Sequence, residues 1–583
     1  MPADLGLVLA GVSLAFQIFS GCIVAFDLLS TAFSFGQDAE RHLAYLRLQE
    51  FLLFAFAQQA GIIEQRREPY LDYDRVQKSL AQIESLLTDI HRLERRYGFK
   101  VGDEESGHAP AKKSVPKSSL PGKDSNTPPL DFLYHANLVE ERERILESGK
   151  RLSRVAGFPK KIWWSAVDQG RFKEFIADLA KWIQSLNDLL DSNRHRIQQD
   201  YLSNTYAKLI SNTDQLERLE NLFFAMLPVQ NSALPVAMSK LKAIHLAQLS
   251  KHGGEKVLRS MAILDSSDND ATNFDDYNIP INEITDLSGH VGRFHESRVF
   301  VDLKDLRAEE GNIVTITFNR QLRGLIRLLG VPKPAEFCTL TLRGYINDLP
   351  RTWGYVFDLP ASAQIHWKCE SLYDLLNRDD YLPSLTQRVR LAEKLASALY
   401  LFHSVDWFHK AISSHSITFF TTADERDSLS NPYFIGFDYS RLAMKVDESE
   451  KPRSNPHLDI YRHIKAQYPI SLDEPFEAIY DIYSLGVVFL DLAYWRPIES
   501  VLVEENILNL NQCTSEDLGQ VPAALLRLST SSEPFYNTSF RVGDAFSDII
   551  QTCLTGGFER TDQTNWQDSF FEKVVTPLKN LVL

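Results

Sequence analysis

The segment LGLVLAGVSLAFQIFSGCIVAF, residues Leu5 to Phe26, carries no charge between Asp4 and Asp27, and its reading decides the fold of the N-terminal part of the chain. As an α-helix it would run about 33 Å, close to the ~30 Å hydrocarbon core of a bilayer. Leu5, Leu9, Val12, Phe16, Phe19, Ile23 and Phe26 recur at steps of three and four and make one apolar face. Gly6, Ala10, Ser13, Gln17 and Ser20 form an adjacent small or weakly polar stripe along which another helix can approach. Two roles fit: the central helix of a soluble bundle, and a membrane-inserting helix. Asp4 stands where a secretory signal needs Lys or Arg. Gly, Ser and Gln, with no basic cluster after Asp27, argue against a permanent anchor. A helix that is core in one state and inserted in another satisfies both roles.

The surrounding chain reads as globular protein. Its 583 residues exceed one core and suggest two to four domains; 44% hydrophobic and 24% charged residues are ordinary for folded protein. A formal net charge of −15 argues against nucleic acid as the main partner. Cys22, Cys338, Cys369, Cys513 and Cys553 are scattered and contain no C-x-x-C pair, so neither a disulfide framework nor a zinc site is indicated, and the expected compartment is cytosolic.

After Asp27, helical periodicity runs through Leu28 to Gly61, Tyr73 to Tyr97, Phe132 to Val155, Lys160 to Leu190 and Asn193 to Leu227. Between Gly98 and Pro129 it gives way to Gly, Ser, Pro and Lys, the composition of a mobile loop. Residues 1–227 are therefore expected to form an all-α bundle. Of the adjacent Trp163 and Trp164, one is expected in the core and one at its rim.

Phe16, Phe19, Cys22 and Phe26, then Phe35-Gly36-Gln37-Asp38-Ala39-Glu40-Arg41, and later Lys160-Lys161 with Trp164 and Asp168, resemble the HeLo domain of fungal heterokaryon-incompatibility proteins. The resemblance implies a helical bundle whose N-terminal helix is released on activation and enters membrane, hence a regulated permeabilising toxin. No amyloid-forming tail is recognisable.

Residues 228–256, with Pro228, Pro235 and Gly253-Gly254 flanking a short amphipathic stretch around Ala237 to Ser250, read as a connector or brace. Beyond it the period changes: Arg298 to Lys304 alternates like a strand, Ile316 to Leu329 reads as a helix, and Phe337 to Tyr345 and Trp353 to Leu359 read as strands. Helices dominate from Leu372. A β-rich lobe (about 257–360) followed by an α-rich lobe (about 361–583) is the outline of a protein kinase, and the region resembles the degenerate kinase-like domains that fungi attach to such bundles.

Phosphoryl transfer needs a glycine-rich cover, a lysine paired with a glutamate, a catalytic Asp, and an Asn and a second Asp for magnesium. By resemblance, Lys304 sits on the phosphate-lysine strand, with Gly289 and Gly292 as the remnant of the glycine loop. The helix from Thr315 to Leu329 contains no acid to pair with Lys304. In Asp406-Trp407-Phe408-His409-Lys410-Ala411-Ile412-Ser413-Ser414-His415-Ser416 the catalytic Asp position is Ala411 and the metal Asn position Ser416; in Gly436-Phe437-Asp438 the metal Asp position is Gly436. A methyl group accepts no proton, and one hydroxyl is a poor magnesium ligand. His409, Phe437 and Asp481 resemble the structural landmarks that kinases keep. His403, His409 and His415 recur every six residues, which suits no metal site.

The resulting expectation is a bundle held inactive by a pseudokinase, with no cofactor beyond residual ATP binding at Lys304, Gly289, Gly292 and Asp438. The architecture is similar to the mixed-lineage kinase-like executioners of animal necroptosis. It implies membrane lipid and self-association on activation, an upstream trigger the sequence does not identify, cytoplasmic residence at rest and the plasma membrane on activation. Two alternatives stand beside it: an oligomerising adaptor that never touches lipid, and an atypical active kinase.

Overall fold

The computed structural model describes residues 3–32, 39–68, 70–99, 136–153, 169–227, 233–250, 254–263, 277–305, 316–348, 352–360, 367–422, 429–437, 440–442, 455–467, 476–508, 514–531, 537–558 and 566–581. The reading of 98–130 as a loop falls almost wholly outside these, as do Lys160, Lys161, Trp163, Trp164, Asp168 and Asp438. Contacts divide the chain into two compact units, Met1–Val236 and Ala237–Leu583.

The first unit is helical: α1 (Ala3–Ala32), α2 (Ala39–Gln59), α3 (Tyr73–Thr88), α4 (Ile90–Tyr97), α5 (Ala136–Ser153), α6 (Gln169–Asn187), α7 (Ser192–Ser211) and α8 (Leu216–Met226). The single helix expected from Tyr73 to Tyr97 is two, because Asp89 leaves helical geometry and its side chain accepts the Arg92 N–H at 3.1 Å, capping α4. Helix α1 packs against α2, α3 and α5. Phe19, Phe26, Phe51, Phe54 and Phe56 are fully buried, each contributing roughly 1.5–3 kcal/mol by leaving water.

The amphipathic stretch of the connector is α9 (Ala233–Leu249), lying mostly within the second unit, and a second helix, α10 (Gly254–Ser260), follows it. Pro235 falls in the first turn of α9, where a missing N–H breaks no helical bond. At Gly254 an added Cβ would meet the Ala247 Cβ at 3.0 Å, so that glycine permits α10 to fold back on α9.

In the second unit a five-stranded antiparallel sheet has the order β1-β2-β3-β5-β4, with β1 (Ile284–Ser288), β2 (Val291–Phe294), β3 (Ser297–Asp305), β4 (Leu342–Asp348) and β5 (Thr352–Asp358). Ile279, Ile284, Val299, Val301, Ile346 and Val356 form the core of one face. Helix α11 (Ile316–Gly330) lies against β4. The strand expected from Phe337 starts only at Leu342, because Cys338 is left-handed (φ 47°) and ends a 3₁₀ turn.

The helical part follows: β6 (Trp367–Ser371), α12 (Leu372–Leu376), α13 (Leu385–Ser404), β7 (Trp407–Phe408), β8 (Ile417–Thr422), β9 (Tyr433–Phe434), β10 (Arg441–Leu442), α14 (Pro456–Asp459) and α15 (Ala478–Tyr494). Then come α16 (Ile498–Glu504), α17 (Ser515–Ser529), α18 (Thr538–Val542), α19 (Asp544–Thr555), α20 (Trp566–Phe570) and α21 (Thr576–Leu581). Helix α13 starts with a Ser384/Gln387 capping box. Helix α15, apolar almost all round, is the buried axis of this part. Its two acids are both inside and both bonded: Asp491 accepts the Ile498 N–H (2.7 Å) and the Tyr461 hydroxyl (2.9 Å), and Asp481 is described below.

Candidate functional site

Two sets of residues carry the functional questions, one in each unit. In the first, Gly11–Ser30 of α1 is long and apolar enough to cross a bilayer, and more than half of it is buried in the bundle. Of the expected apolar face, Val12, Phe19, Ile23 and Phe26 are buried and Phe16 is half-buried; the side chains of Leu5 and Leu9 lie outside the described residues. The opposite face is wet: Leu14 is 46% exposed and Gln17 is exposed. Neighbours come close through glycines. An added Cβ at Gly149 of α5 would stand 2.7 Å from the Ser20 carbonyl, and one at Gly21 would overlap the Glu84 carboxylate of α3. Burial raises the pKa of Glu84.

A charge cluster closes this packing. Arg142 of α5 donates through Nε to Glu50 of α2 (2.8 Å) and through Nη2 to Asp27 of α1 (3.3 Å); Arg47 reaches Glu50 at 2.6 Å and Lys150 reaches Asp27 at 3.8 Å. Glu50 is fully buried. Sequence reasoning missed this cluster, although Glu50 stands four residues from buried Leu46 and four from buried Phe54, on the inner stripe of α2.

In the second unit, the backbone after β7 is held by Asp481 of α15, which accepts the N–H groups of His409 (2.9 Å) and Lys410 (2.8 Å). His409 is buried between Phe434 and Phe437, with ring centroids at 5.4 and 4.8 Å, and burial depresses its pKa to about 4, so it is neutral at pH 7. Its Nδ1 accepts the Ala411 N–H at 3.3 Å. The Ser416 hydroxyl donates to the Ser413 carbonyl (3.0 Å) and accepts the Ser413 N–H (2.9 Å). Gly436, left-handed at φ 76°, lies alongside: an added Cβ would be 3.6 Å from the Ser416 Cβ. The residues singled out as Ala411, Ser416, Gly436, His409, Phe437 and Asp481 are thus brought together.

Lys304 is described only through its backbone. Its backbone pairs with Trp353 and its side chain lies outside the described residues. Asp302 of β3 meets Gly436, its Oδ2 accepting the Gly436 N–H at 3.0 Å. Burial raises the Asp302 pKa, while the Gly436 N–H and the nearby His290 lower it. Gly289 and Gly292 flank His290 at the β1–β2 turn, and Gly289 is left-handed (φ 60°). The His290 carbonyl accepts the Val301 N–H at 2.7 Å and its Nδ1 lies 3.2 Å from the Val301 carbonyl.

His403, His409 and His415 do not converge: His403 Nε2 is 3.4 Å from Asp481, and His415 stacks on Tyr373 at 3.9 Å. Among the described residues no group of three or more His, Cys, Asp or Glu is placed to hold a metal.

A helical unit with an apolar first helix sealed by small-residue contacts and a buried charge cluster defines the class of the N-terminal part. Residues 6–222 match the family model for HeLo, prion-inhibition and propagation, a domain family associated with fungal incompatibility and cell death. No curated protein matches the chain.

Proposed function

We propose that this protein is a regulated cell-death executioner: the HeLo bundle keeps α1 as a core helix at rest and delivers it to membrane when triggered, under the control of a second unit that is a kinase-like fold without kinase chemistry. The observation that carries the reading is the HeLo match over residues 6–222, on a bundle whose first helix is both span-length and enclosed. The wet face at Leu14 and Gln17 gives α1 a lipid-facing surface that needs no unpacking to be reached.

Support for the kinase-like reading comes from the five-stranded antiparallel sheet with α11 between its strands β3 and β4, from the His409 loop pinned by Asp481 on a buried central helix, and from the gathering of Ser416 and Gly436 beside β3. Ala411 offers no base, the Ser416 hydroxyl is spent on Ser413, and Gly436 has no side chain. The unit is therefore read as a sensor rather than a catalyst, and the protein as cytoplasmic at rest and at the plasma membrane when active.

The test is expression in fungal cells of the full chain and of residues 1–236. The fragment is expected to kill and the full chain to be tolerated. Equal toxicity of the two, or equal harmlessness, contradicts restraint by the second unit.

A further inference from the structure

Resting on the kinase-like reading of the second unit, a closer question is what ligand its polar cluster accepts. A kinase grips nucleotide phosphates with a cation on the third strand of its small sheet, opposite the segment that supplies the metal Asp. Here a carboxylate of that strand, Asp302, is already bonded to the segment, accepting the Gly436 N–H at 3.0 Å. We propose that Asp302 is a built-in anion occupying the phosphate seat, and that this unit does not bind nucleoside triphosphates.

Three features converge on this. The amide that would face a phosphate oxygen is satisfied from within the chain. The turn carrying Gly289 and Gly292 is tied onto β3 at Val301, the residue beside Asp302, by the 2.7 Å bond to the His290 carbonyl, and His290 stacks on Phe300 at 5.6 Å, so its peptide groups are committed to the sheet. Among the described residues no metal donor set stands ready to bridge two anions: Ser416 is bonded at both its donor and an acceptor position to Ser413, and the described acids and histidines form no cluster of three. One phosphate charge held ~4 Å from the carboxylate at an effective dielectric of ~20 is disfavoured on the order of a thousandfold. Burial already raises the Asp302 pKa, and a second anion alongside would raise it further, which is the same repulsion expressed as proton uptake.

The experiment uses the full chain as wild type, Asp302→Asn and Asp302→Lys, titrated with a fluorescent ATP analogue in the presence of magnesium or manganese at pH 8, with melting read on the same samples. Wild type is expected to show no saturation into the millimolar range. Asp302→Lys should gain at least tenfold in affinity, and Asp302→Asn, equal in shape and able to accept the same N–H, an intermediate amount; if the lysine variant fails to fold, the asparagine variant carries the test. Saturable binding by the wild type, or no gain in either folded variant, overturns the inference. Wild-type binding without phosphoryl transfer overturns this inference alone, whereas binding with transfer also overturns the reading of the unit as a sensor.

Discussion

At the scale of single residues, Arg142 is the side chain on which the resting state of the bundle turns. It shares a fully buried Glu50 with Arg47 and reaches Asp27 on α1, so one guanidinium joins three helices. Removing one member of such a buried cluster is strongly destabilising because a desolvated charge loses its counter-charge. Arg142→Ala is expected to lower the stability of the first unit by about 3–5 kcal/mol and to raise the membrane activity of the full chain. Thermal melting and vesicle leakage on the same samples check it, and unchanged values in both would remove Arg142 from the account. The same scale shows where reading stops. The run Val299-Phe300-Val301-Asp302-Leu303-Lys304 was legible as a strand, but Asp302 and Lys304 share a face by the period of two. The contact of Asp302 with Gly436 is visible only in the folded chain. That Ala411, Ser416 and Gly436 carry no carboxylate is a property of residue type, legible without the fold.

At the scale of elements, long amphipathic helices were legible and short half-exposed strands were not. Helices α2, α3 and α13 carry apolar residues at helical spacing, and α13 also announces its start with Ser384 and Gln387. Strand β1 buries only Ile284 of its five residues, and β6 and β8 pair far apart in sequence, so no local period marks them. Helix α9 was legible as a short amphipathic stretch around Ala237 to Ser250, but it starts at Ala233, ahead of that stretch, with Pro235 in its first turn. It is nonetheless anchored within the second unit: Lys242, only 3% exposed, bonds to Asp406, His245 Nε2 lies 3.5 Å from the same carboxylate, and Gln248 covers Gly324 of α11. Burial depresses the His245 pKa to about 4, so Lys242 supplies the positive charge at neutral pH. Asp406→Ala takes the carboxylate from both and is expected to loosen α9. Limited proteolysis should then cut within residues 228–253 at least several times faster than in the wild type; an unchanged digestion pattern would mean that packing alone holds the helix.

At the scale of the whole molecule, the account joins a HeLo domain over residues 6–222 to a sheet-plus-helix unit read as a kinase relative without its chemistry. Its central claim is that α1 serves as core in one state and as membrane helix in another. The structure supplies substitutions that separate these roles. Val12 is 1% exposed, so an acid there would unfold the bundle and block insertion alike. Leu14 and Gln17 are exposed, so acids there leave the packed state intact. In a bilayer centre each acid costs about 2.5–3.5 kcal/mol on insertion scales. The decisive measurement is dye leakage from anionic liposomes by residues 1–236, with and without Leu14→Asp combined with Gln17→Asp, helicity and melting being read by circular dichroism on the same samples. The account predicts leakage by the unmutated bundle and its loss in the double variant, with helicity and melting near wild type. No leakage by the unmutated bundle, or leakage unaffected by the two acids, would contradict it and leave α1 as a permanent core helix.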